Sequence, residues 1–105
     1  MATFVLSYRL PAGYTRTPES TAAWMAWFDS MGDNLVDIGR PVLDRTAVGN
    51  CGGGTNLGGY SLITADDLAA AAVLAKGCPV LDRDGGVEIG LLGPAVDRPS
   101  TGQPG

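Results

Sequence analysis

The stretch GNCGGGTNLGGYSLITA, residues 49–65, decides between two folds. As a phosphate cradle it would open a nucleotide-binding βαβ unit. As a bend running into a strand it would join two strands of an antiparallel sheet. Six of the twelve positions from 49 to 60 are glycine. A P-loop needs a lysine and a hydroxyl straight after its last glycine, and no lysine of this chain comes before Lys76. A dinucleotide fingerprint needs a helix after its glycines. Here YSLITA (60–65) follows, and it reads as a strand. The bend is the better reading. Successive glycines tolerate positive φ and resist order, so a gate over a pocket is the functional alternative. Gly58 and Gly59, at the strand's opening, predict a bulge or a close backbone approach.

The rest of the chain falls into place around that strand. TFVLSYRL (3–10) alternates, with Phe4, Leu6, Tyr8 and Leu10 on one face and Val5, Ser7 and Arg9 on the other. Thr17 suits a helix N-cap, with Pro18 at the first helical position and Glu19 in the first turn. Trp24, Trp27, Phe28, Met31 and Leu35 then form an apolar stripe, and Gly32-Asp33-Asn34 marks the helix end. LVDIG (35–39) is a short strand that Pro41 confines to an edge or interrupts. PVLDRTAVG (41–49) continues as a ragged extended segment. Thr64 or Asp66 is positioned to cap a second helix, DDLAAAAVLAKG (66–77), which Gly77 stops. Asp84-Gly85 suits a tight turn before the last strand, VEIGLL (87–92).

The order β-α-β, β-α-β predicts an α+β, ferredoxin-like βαββαβ domain over 1–92: one antiparallel sheet with both helices on one face. A Pro/Gly-rich C-terminal tail over 93–105 follows. The other sheet face, carrying Val5, Ser7, Tyr60 or Ser61 and part of 87–92, needs a cover, and a second copy of the chain would supply it.

Composition narrows the function. The chain has 105 residues, a formal charge of −4 and no basic run, which argues against nucleic-acid binding. No apolar run is long enough to span a bilayer, and MATFVLSYRL lacks the features of a signal peptide. Two cysteines, Cys51 and Cys78, do not make a disulfide scaffold, so free thiols in the cytoplasm are expected. There is no histidine, which rules out a Ser-His-Asp triad or an HExxH zinc site within the chain. Neither a metal nor a cofactor is expected.

Several stretches resemble the YCII-related proteins that include the DGPF-motif group. They are FVLSYRL with the Trp-rich AAWMAWFDSMG, then GRPV, LGGYSLITADDLAAAAVLAKGCP and GGVEIGLL, together covering about residues 3–92. The resemblance implies a homodimer in which two ferredoxin-like sheets pair into a dimeric α+β barrel. It also implies small-molecule pockets between each sheet and its helices or loops, with cofactor-free enzymes among the related barrels. The chain departs from the family where GNCGGGTN replaces the Asp-Gly-Pro-Phe segment. Only the helix-start aspartates and Gly58-Gly59-Tyr60 carry over by match.

Candidate site residues follow from strand ends and helix starts. Arg9, if it points into the sheet–sheet interior, needs an anionic partner or ligand; at an exposed strand end it is a solvated charge. Asp66 and Asp67 are either helix caps or a base at a pocket edge. Tyr8 and Tyr60 either pack in the core or line one cavity, with Asn56 orienting the ligand. Trp24, Trp27 and Phe28 have core spacing, yet Trp24 or Trp27 can form a pocket wall. Cys51 has no neighbouring cation in sequence to lower its pKa, and the two cysteines do not make a CxxC pair, so thiol or redox chemistry is a minor reading. The leading expectation is a protein that binds or transforms a small organic molecule without a cofactor, using Arg9, Asp66 and Asp67 as catalytic groups. The alternative is a non-enzymatic accessory or regulatory module that contacts another protein through its loops and tail.

Overall fold

Alternation in FVLSYRL produces the central strand. Phe4, Leu6 and Tyr8 are buried on one side, at 1%, 0% and 5% exposure. In the computed structural model, which describes residues 1–94, the elements are β1 (Ala2–Pro11), α1 (Pro18–Met31), β2 (Leu35–Asp37), β3 (Thr55–Ala65), α2 (Leu68–Ala75) and β4 (Gly86–Leu91). Single 3-10 turns follow α1, at Gly32–Asn34, and α2, at Pro79–Arg83. The sheet runs β2-β3-β1-β4, and every neighbouring pair is antiparallel. This small α+β domain with two helices and a four-stranded antiparallel sheet is consistent with the ferredoxin-like order. Most of the tail expected over 93–105 lies outside the described residues.

Both helices cover the Phe4 side of the sheet. Trp27 and Met31 of α1 and Ala71 and Ala75 of α2 join Phe4, Leu6, Tyr8, Ile63 and Ala65 in one core. Each large side chain so buried contributes about 1.5–3 kcal/mol. The helix starts are locally encoded. Thr17 Oγ1 accepts from the Ser20 amide at 3.1 Å while Ser20 Oγ accepts from the Thr17 amide at 2.8 Å, closing a capping box. At α2 the cap is Asp67, whose carboxylate accepts from the Ala70 amide at 2.8 Å. This replaces the expected Thr64 or Asp66 and shortens the helix from 66–77 to 68–75, because Asp67 itself is still extended at φ −159°. No helix among the described residues is long and apolar enough to cross a membrane.

Two boundaries moved for tertiary reasons, and the bulge expected at Gly58-Gly59 is present. β3 begins at Thr55 and not at Tyr60, because Thr55, Asn56 and Leu57 pair with Pro11, Leu10 and Arg9. The register slips between Tyr8 and Arg9, leaving Gly58 as the extra residue of a β-bulge. Its missing side chain matters, because a Cβ there would lie 2.3 Å from the Leu10 side chain. β2 is only Leu35–Asp37, and the chain touches the sheet again through one bridge from Pro41 to Gly59.

Between those two contacts the backbone runs alongside β3, pressed closely against it at Gly39. This residue has φ +73°, and a Cβ on it would fall 1.8 Å from the Tyr60 carbonyl oxygen. Gly53 has open space around it. In urea denaturation, Gly39→Ala is expected to lower stability by about 2–4 kcal/mol. Gly53→Ala should change it by no more than about 0.5 kcal/mol, with any gain coming from a stiffer unfolded chain.

Candidate functional site

The sheet end that carries the bulge is also where the core opens. A cavity of about 240 Å³ sits between α1, the end of β1 and the segment that runs beside β3. Its floor is Tyr8 and Leu10 of β1 with the bulge glycines Gly58 and Gly59. One wall is Trp24, Met25 and Phe28 of α1, and the facing wall is Ile38, Gly39 and Pro41. The loop after β1 adds Tyr14 and Arg16 and the segment after β2 adds Arg40; both arginines are exposed and so stand at the rim.

The wall is built from stacked rings. Tyr8 meets Trp24 edge-on with ring centres 4.8 Å apart, and Trp24 lies 5.9 Å from Phe28. Trp27 packs behind them, 5.9 Å from Tyr8, and its indole N–H donates to the Leu74 carbonyl at 3.0 Å, tying α1 to α2. Polar groups at the cavity are paired in defined directions. The Tyr8 hydroxyl donates to Ser61 Oγ at 2.7 Å, and Ser61 Oγ donates in turn to the Ile38 carbonyl at 2.7 Å. The Trp24 indole N–H donates to the Tyr14 hydroxyl at 3.1 Å. The Arg83 guanidinium stands over the Tyr14 ring, 5.4 Å from its centre. Burial pushes the Tyr8 phenol well above its ordinary range, with the hydrogen bond to Ser61 acting weakly against it.

The residues singled out in the sequence divide into separate places. Tyr8, Trp24 and Tyr60 all border the cavity. Since Ser61 turns into the core, alternation sends the Tyr60 side chain to the opposite face. Asn56 is exposed, lies opposite Leu10 in the ladder, and is not part of the cavity lining. Arg9 is on the face away from the helices, where its guanidinium donates to Thr55 Oγ1 at 3.2 Å and to the Thr55 carbonyl at 2.9 Å. It borders a shallow depression with Cys51, Gly52, Gly53 and Glu88. Asp66 and Asp67 are exposed beyond the far end of β3, roughly 20 Å from the cavity at the usual ~3.3 Å strand rise. The three groups expected to share catalysis therefore do not meet in the chain.

Tyr14, Arg16, Ile38, Arg40 and Pro41 were not anticipated as site residues. Their signal was present in YTR (14–16) and GRP (39–41), two loops that each put an arginine beside a rigid or aromatic neighbour. Only the fold brings both loops to the cavity that Trp24 lines. Among the described residues no cluster of three or more His, Cys, Asp or Glu forms a metal-binding group.

Both cysteines are free: Cys51 is exposed and Cys78 is buried in the core. Burial pushes the Cys78 thiol up from 9.0 to about 12, partly offset by a hydrogen bond from the Val80 backbone. A disulfide-exchange reagent should therefore titrate one thiol in the native protein and two in denaturant. Tyr8 and Cys78 both hold their protons more tightly folded than unfolded, so their contribution is complete below the unfolded pKa values and is lost as pH rises. The urea midpoint should fall between pH 8 and pH 10.5, and the fall should be smaller in Tyr8→Phe.

Compared with protein-family models, with curated proteins and with solved structures, the chain matches none.

Proposed function

We propose that this chain binds a small organic molecule in the cavity between α1 and the sheet, and that it does so as a homodimer whose sheets face each other, in the manner of the YCII-related barrels its sequence resembles. The cavity itself carries this reading. It is apolar, walled by Trp24 and Phe28, and has a few oriented polar groups at one end, the usual make-up of a small-molecule site. Its volume of about 240 Å³ is below the roughly 300–1,000 Å³ of sites for drug-sized ligands, so the occupant is compact.

The uncovered sheet face supports the dimer. Val5 stands opposite Leu62, Ser7 opposite Tyr60 and Arg9 opposite Leu57. Tyr60 is 39% exposed and Leu57 41% exposed. A second sheet about 10 Å away would bury this row as sandwiches do. Binding is the part of the reading that the cavity supports. Turnover by Arg9, Asp66 and Asp67 would need groups that stand on another face and at another end. Free thiols at positions 51 and 78 suit a reducing compartment such as the cytoplasm.

Two measurements test the two halves separately. Light scattering at micromolar concentration should give twice the 10.7 kDa subunit mass, and Leu62→Asp should return it to one subunit. A screen of small aromatic fragments by NMR should produce shifts centred on Tyr8, Trp24 and Phe28. A monomeric mass with Leu62 solvent-exposed removes the dimer. Hits that map only to the Val5 face, or no hits, remove the cavity.

A further inference from the structure

We infer that the ligand of this cavity is an anion, an aromatic carboxylate whose ring lies against Trp24 and Phe28 and whose carboxylate is held by Arg16 and Arg40. This deepens the cavity reading above and rests on it.

The inference follows from which hydrogen-bonding groups remain available. The Tyr8 proton is committed to Ser61. The Tyr14 hydroxyl already accepts from Trp24, so its own proton is free to point elsewhere. Arg16 and Arg40 line the rim, each with a fork of N–H donors. Among the described residues no hydrogen bond engages either guanidinium, whereas Arg9 is tied to Thr55 and Arg45 to the Leu57 and Val42 carbonyls. Among the described residues no aspartate or glutamate lines the cavity. The polar end is therefore rich in donors and poor in acceptors, and a ligand that satisfies it must bring acceptors.

Charge points the same way. The chain as a whole is acidic, at −4, yet two of its seven basic residues converge on this rim. A third, Arg83, stands over the Tyr14 ring that borders it. Long-range attraction does not favour an anion here, so recognition depends on the local arginines and weakens with salt. Beneath them the lining is apolar and aromatic, which favours a flat ring over a bare inorganic anion. A planar carboxylate matches the guanidinium fork.

Calorimetry with 2-naphthoate and its neutral isostere 2-naphthamide tests this. The acid should bind at least tenfold more tightly than the amide, with the preference shrinking as salt is raised. In Arg16→Ala/Arg40→Ala, checked for native fold by circular dichroism, the preference should drop below twofold. Arg16→Lys/Arg40→Lys should retain part of it, and Lys76→Ala, away from the cavity, all of it. Equal binding of acid and amide by the wild-type chain overturns the anion inference and leaves the cavity reading intact. A preference that survives loss of both arginines overturns their role. Failure of both probes to bind overturns the inference together with the reading beneath it.

Discussion

The hydrogen-bond chain from Tyr8 to Ser61 to the Ile38 carbonyl joins three pieces of backbone that are far apart in sequence. It runs from β1 through β3 to the segment leaving β2, entirely below the helices. Each bond alone is worth about 1 kcal/mol net, and leaving a buried hydroxyl without a partner costs more. The Tyr8 ring is also where Trp24 and Trp27 meet the sheet. One side chain thus sets how closely α1 packs and where the segment after β2 lies beside β3. The cavity is the space that remains when both are held in those positions.

Much of the scaffold was legible in the sequence because it is locally encoded. Alternation in 3–10 assigned Phe4, Leu6 and Tyr8 to one face, and Thr17-Pro18 marked the start of α1. What was illegible was set by distant partners. Thr55–Leu57 look like loop beside the glycines and become strand only because β1 offers them a ladder. Asp67 caps α2 in place of its neighbour because the strand stays extended through it. At the site, Tyr8, Trp24 and Tyr60 were within reach of pattern reading because strand and helix periodicity place them. Arg16 and Arg40 were not, since no periodicity governs two irregular loops. Arg9 was open to two readings, and its bonds to Thr55 make it part of the sheet's own framework.

The two sheet faces carry different kinds of residue, and this separates their roles. The helix-covered side is dense and aromatic, with Ser61 its one buried polar strand residue. The uncovered side mixes Val5, Leu62, Tyr60 and Leu57 with Ser7, Thr3 and Thr64. With Arg9 and Glu88 on the same side, that mixture is more apolar than a fully hydrated surface and more polar than a deep core, which suits the proposed dimer. Ligand and partner would then occupy opposite faces of β1 and meet only through the strand itself.

The bulge at Gly58 also bears on how the chain can change length over generations. Strand parity is reset there: the same sequence paired without a bulge would set Leu57 inward against Leu10 and turn Asn56 outward. Gaining or losing a residue among the exposed positions 49–54 only alters slack in a connector. Losing Gly58 would keep Leu57 opposite Arg9 in a regular ladder, whereas a residue added between 55 and 58, with one residue still bulged, would exchange the inward and outward sets of that strand end and turn Leu57 toward the cavity. Added length should therefore be tolerated on one side of Thr55 and purged on the other.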